Sequence, residues 1–175
     1  MKKYVAFLRA INVTARKGVK MEDLKRPFEA LGLKNVQTFI QSGNVIFETE
    51  REMNAAFVSQ LESRLEALLG YKSDVFLRSM DEVKAIADQR FYRPGENEVA
   101  HVVFLNQAPD KKAAQALAAF NGPADEFTVK GREVYNLRRD RDASVFSNQF
   151  IEKTLKVTAT TRNLNTVRKI AEKFQ

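Results

Sequence analysis

The chain is 175 residues long, with 44% hydrophobic and 29% charged positions, the make-up of a soluble globular protein of one large or two small domains. It has no cysteine, which excludes disulfides, thiolate metal sites and cysteine nucleophiles and fits a reducing cytoplasm. No apolar run approaches the ~20 residues that span a bilayer, and Tyr4 to Leu8 is too short for a signal-peptide core, so a cytoplasmic protein with no membrane partner is expected.

The net charge of +7 is spread unevenly: +6 over residues 1–20, −5 over 21–129 and +6 over 130–175. This basic–acidic–basic split predicts a basic face for an anionic partner where the two ends meet. Plain solubilisation by excess Lys and Arg is the competing reading.

Lys3 to Arg9 reads as a strand, apolar on both alternations and so covered on both faces. A polar loop, Ala10 to Lys20, carries three basic residues. Met21 to Leu31 has helical spacing with Gly32 as its stop, and Pro27 within it predicts a kink or a two-part helix. Val36 to Gln41 and Asn44 to Thr49 form a hairpin, Asn54 to Leu69 a helix ended by Gly70, and Asp74 to Arg78 a further strand. The order βαββαβ over residues 1–79 is that of a ferredoxin-like domain.

Residues 80–175 read as a second, smaller α+β domain packed against the first. Met80 to Gln89 is a helix, Glu98 to Leu105 a strand, and Pro109-Asp110 starts an alanine-rich helix. Glu126 to Lys130 and Glu133 to Leu137 make a second hairpin. Ser144 to Leu155 and Arg162 to Phe174 are the closing helices, and no tight internal repeat is visible.

Strand order places the end of strand one, the start of helix one and the Ser42–Asn44 turn on one sheet edge. Arg9, Asn12, Lys17 and Lys20 gather there, with Gln41, Ser42 and Asn44 beside them. Free amides at a helix start next to cations can receive phosphate or carboxylate. Ser42-Gly43-Asn44 is equally a plain hairpin turn, since Gly and Asn tolerate positive φ.

A third polar cluster runs from Thr160 to Thr166 and includes Thr161, Arg162, Asn163 and Asn165. Thr160 or Thr161 is expected to cap the last helix, with Arg162, Thr166, Lys169 and Lys173 on its outer face. Arg138 to Asp142 alternates sign and reads as locally paired surface.

No phosphate loop, dinucleotide fingerprint or hydrolase elbow is present, and no spacing argues for a metal or cofactor. The single histidine, His101, sits in an apolar strand without a visible Ser or Asp partner and reads as a core group. The strand order is shared with RNA-recognition modules, but Asn44-Val-Ile-Phe-Glu48 lacks their glycine–aromatic signature.

Three ordered segments, Lys3 to Val13, Gln41 to Phe47 and Thr160 to Val167, resemble the bacterial domain-of-unknown-function family 1697. The resemblance spans nearly the whole chain. It implies a bacterial protein with a ferredoxin-like first domain and a second α+β domain, and it implies no activity. The family's first motif carries glycines where this chain has Ala10, Thr14 and Ala15, which stiffens the loop.

Three functions stay open. One is a binding module for an anionic ligand, nucleotide or nucleic acid, at the basic edge. Another is an enzyme on a phosphorylated or carboxylated small molecule, with Arg9 or Arg162 clamping the anion. The last is a purely structural role for the polar clusters as ties between domains.

Overall fold

Strand β1 (Lys2–Leu8) is buried on both alternations because it occupies the interior of a sheet: Ala6 and Leu8 face one layer, Val5 and Phe7 the other. The computed structural model describes residues 1–9, 19–39, 43–90 and 92–175. Asn12, Lys17, Gln41, Ser42 and most of the Ala10–Lys20 loop lie outside the described residues. The chain divides into two units, Met1–Lys84 with Phe174–Gln175, and Ala85–Lys173. Each is built on a four-stranded antiparallel sheet, and the described residues include six α-helices.

In the first unit β1 is followed by a 3₁₀ turn (Met21–Leu24), α1 (Lys25–Ala30), β2 (Lys34–Thr38), β3 (Asn44–Thr49), α2 (Ala55–Leu69) and β4 (Val75–Ser79). The sheet order is β2-β3-β1-β4. Helix α3 (Met80–Ala87) follows β4 directly. The expected helix at Met21–Leu31 is thus in two parts, but the break falls before Pro27. That residue sits in the first turn of α1, where its missing N–H loses no helical bond.

Helix α2 shows how sequence sets its limits. Asn54 accepts from the Phe57 amide at 2.9 Å, and Gly70 at φ 80° ends the helix in the left-handed region open to glycine. Phe57, Leu61, Leu65 and Leu69 recur on one face and pack on Ala6, Leu8, Val45 and Phe47 of the sheet, with Leu24 and Phe28 beside them. Burying each such side chain contributes about 1.5–3 kcal/mol.

The second unit contains β5 (Val99–Leu105), α4 (Lys111–Ala118), β6 (Asp125–Lys130), β7 (Glu133–Arg138), α5 (Asn148–Leu155), β8 (Ala159–Asn163) and α6 (Leu164–Lys173). Its sheet order, β6-β7-β5-β8, repeats that of the first unit position for position. Asp110 and Ser147 cap α4 and α5. Val103, Leu105, Val134 and Ala159 form a core with Leu117, Ile151 and Leu155 of those helices.

One expectation is overturned. Residues 159–163 form strand β8 rather than a helix start, and α6 begins only at Leu164. Thr160 and Thr161 therefore cap nothing, and Arg162 lies on the strand instead of the outer face of a helix. The β-branched Thr pair favours extended backbone, and pairing with β5 along its length secures it. Leu164, Val167, Ile170 and Ala171 are the buried stripe of α6, which packs on β5 and β8.

Candidate functional site

At the end of β1 the chain is tied to two neighbours. The Leu8 amide donates to the Gly43 carbonyl at 2.8 Å, and the Arg9 amide donates to the Asp74 carbonyl at 3.0 Å. Asn44 faces Phe7 across the β1–β3 ladder. Arg9 and Asn44 are thus brought to one sheet end, as strand direction predicts.

The polar groups there are engaged with the fold. Arg9 pairs with Asp74 at 3.2 Å, the Ser73 hydroxyl donates to the Arg9 carbonyl at 2.7 Å, and Lys72 stands 3.9 Å from Asp74. Asn44 is fully buried; its Nδ2 donates to the Phe39 carbonyl at 2.9 Å while the Phe39 amide donates to the Asn44 carbonyl at 3.0 Å. Gly43 sits at φ 80°, in the left-handed region open to glycine.

Lys20 begins the 3₁₀ turn, and its backbone N–H donates to the Asp23 carboxylate at 2.7 Å. Asp23 in turn pairs with Arg26 at 3.1 Å. The position expected to receive a ligand anion at this helix start holds the protein's own carboxylate. Its exposed Lys20 side chain still adds positive charge to this end of the unit.

Two basic stretches also meet at the opposite end of the first sheet. Lys3 donates to the Phe174 carbonyl at 2.8 Å and pairs with Glu48 at 3.7 Å. A groove of about 420 Å³ beside them is lined by Lys2, Lys3 and Lys84 together with Asp81. Cations and acids are mixed here.

In the second unit, Arg162 is 6% exposed and donates from Nη1 to Thr160 Oγ1 at 2.8 Å and to the Thr161 carbonyl at 2.9 Å. Burial lowers its pKa to about 10, so it remains cationic at neutral pH. Thr161 donates to Asn148 Oδ1 at 2.9 Å, and Asn148 Nδ2 donates to the Ala159 carbonyl at 2.9 Å, fastening β8 to α5. Asn163 and Asn165 are exposed, with Asn163 Oδ1 accepting from the Asn165 amide at 2.9 Å; Thr166 is half-buried.

Sequence reading missed the counterpart of Arg162. Arg78 occupies the same, penultimate place on β4, is 1% exposed and donates to the preceding Leu77 carbonyl at 2.9 Å. It faces Val5 on β1 as Arg162 faces Val102 on β5. The signal in the chain was Leu77-Arg-Ser-Met80 beside Thr161-Arg-Asn-Leu164, an arginine two residues before an apolar helix start.

His101 Nδ1 lies 3.2 Å from Asn136 Oδ1, and its ring packs on Phe146 with centroids 4.8 Å apart. That is the setting of a structural histidine. Among the described residues no group of three or more His, Asp or Glu could hold a metal ion, and no helix is long and apolar enough to cross a membrane.

The family model described as "Protein of unknown function (DUF1697)" matches residues 1–135, and the chain belongs to that family. A solved structure of the conserved bacterial protein SP0830 from Streptococcus pneumoniae is similar to it, with a TM-score of 0.70 at 22% identity, covering 98% of this chain and 97% of the other. This likeness shows a shared fold. No curated protein matches the chain.

Proposed function

We propose that the protein is a binding module for an anionic ligand, a nucleotide or nucleic acid, received at the β1 end of the first unit. The observation that carries this reading is the gathering of Arg9, Lys20 and Lys72 about one sheet end, beside the Gly43–Asn44 turn. The acids there, Asp74 and Asp23, are each shared with a cation or an amide. Positive charge at such an end raises the local concentration of an anion and speeds its arrival.

The strand order and crossing helices support reading the first unit as a ferredoxin-like βαββαβ domain. We also read the protein as bacterial and cytoplasmic, as the family resemblance and the absence of cysteine suggest.

Fluorescence titration with a labelled mononucleotide and a labelled oligonucleotide, each at low and physiological salt, tests the reading. Binding should weaken as salt rises and weaken further in Arg9→Ala/Lys20→Ala. Absence of binding, or affinity indifferent to salt, overturns it.

A structural reading of the clusters has its own support in Asn44 on the Phe39 carbonyl and Arg162 on Thr160 and Thr161. Those two residues hold turn and strand, whereas the charged Arg9 and Lys20 form the ligand surface.

A further inference from the structure

Because the second unit repeats the strand order of the first, its sheet has an equivalent end. Leu105 closes β5 and its amide donates to the Arg132 carbonyl at 2.9 Å, which places the β6–β7 turn there. Asn106 exchanges hydrogen bonds with Thr158, so the start of β8 and the end of α5 stand at the same level. Helix α4 begins a few residues after Asn106, on this side.

These three connections, with the element ends beside them, carry Lys111, Lys112, Lys130, Arg132, Lys153 and Lys156, and all but Arg132 are exposed. The acids of the neighbourhood are Asp110, Glu133 and Glu152. Asp110 caps the Ala113 amide at 2.7 Å, and Glu152 accepts from the Ala159 amide at 3.1 Å. The opposite end of this sheet differs, because Arg139 there bridges Glu98 at 3.3 Å and Glu126 at 2.6 Å. Cations therefore outnumber acids, six to three, at this end of the unit.

We propose that this end binds nucleic acid through its phosphates. Six cations, two on each of three separate connections, suit a repeating line of charges better than one small anion. Five of them are lysines, which meet phosphate as mobile point charges without the bidentate geometry that reads bases. The surface is distinct from the one at Arg9, and neither depends on the other.

The test measures binding of a short fluorescein-labelled DNA duplex by anisotropy across a salt series, using the full chain and Lys111→Gln/Lys112→Gln/Lys153→Gln/Lys156→Gln. All four side chains are exposed, and thermal unfolding checks that the variant folds. Each neutralised phosphate contributes about 0.9 to the slope of log affinity against log salt, so the variant's slope should be shallower by roughly one for every phosphate it no longer holds.

An unchanged slope in the folded variant, no binding by the wild type, or tighter binding to phosphatidylserine vesicles than to the duplex overturns the proposal. Arg9→Ala/Lys20→Ala keeps the two surfaces apart. Loss of mononucleotide binding in that variant, with the lysine-dependent slope retained, separates the first reading from this one.

Discussion

The carboxamide of Asn44 is wholly buried, and both its side chain and its backbone hold Phe39. Replacing it with alanine leaves the Phe39 carbonyl without that donor and opens a small void. Asn44→Ala should cost about 1–3 kcal/mol in urea unfolding, and a change below about 0.5 kcal/mol would contradict a holding role for its carboxamide.

His101 makes a different kind of contribution at the same scale. Burial pushes its pKa below 6.5; the Asn136 hydrogen bond opposes this, Arg138 adds to it and Asp125 opposes it. The unfolded chain accepts a proton that the folded chain resists. This contribution to stability is therefore complete above pH 6.5 and is lost as pH falls through the lowered folded-state value. Wild type should lose more stability than His101→Gln on acidification below pH 6.5; parallel losses in urea midpoint would contradict this.

Among the elements, β8 was the least legible. Ala159-Thr-Thr-Arg-Asn163 has no apolar alternation, and its threonines precede a clear helical stripe, so local rules read them as caps. Its extended form depends on pairing with β5, a long-range contact that a window of sequence does not contain. Strands β1 and β5 were legible because both alternations are apolar, and α2 and α4 because Asn54, Gly70 and Asp110 mark their ends. Missing β8 also hid the repeat, since the units share a strand order without an evident shared sequence.

The recovered strand gives Arg162 a structural partner in kind, Arg78. Truncating either should cost about 2–4 kcal/mol, through a cavity and the acceptors left behind. Exposed Arg64→Ala should stay within about 0.5 kcal/mol. Equal and negligible effects at all three positions, measured by urea unfolding, would contradict a holding role for the buried pair.

For the whole molecule, the charge split of the sequence predicts a basic face where the two ends meet. Where the ends meet, at Lys3 and Phe174, cations stand among acids. That Arg9 and Asn44 share one sheet end was legible from strand direction alone, because β1 and β3 are adjacent and antiparallel. Its internal pairings were not, since Asp74 and Asp23 approach Arg9 and Lys20 only in the folded chain.

The central claim is that the equivalent, basic sheet ends of the two units receive phosphate. Mapping backbone amide resonances during titration with a short DNA duplex at low salt tests it most directly. Shifts are expected around Arg9, Lys20, Gly43 and Lys72 in the first unit and around Lys111, Lys130, Arg132 and Lys156 in the second. Shifts confined to the opposite sheet ends, at Lys2, Lys84 or Arg139, or no shifts at all, would contradict it.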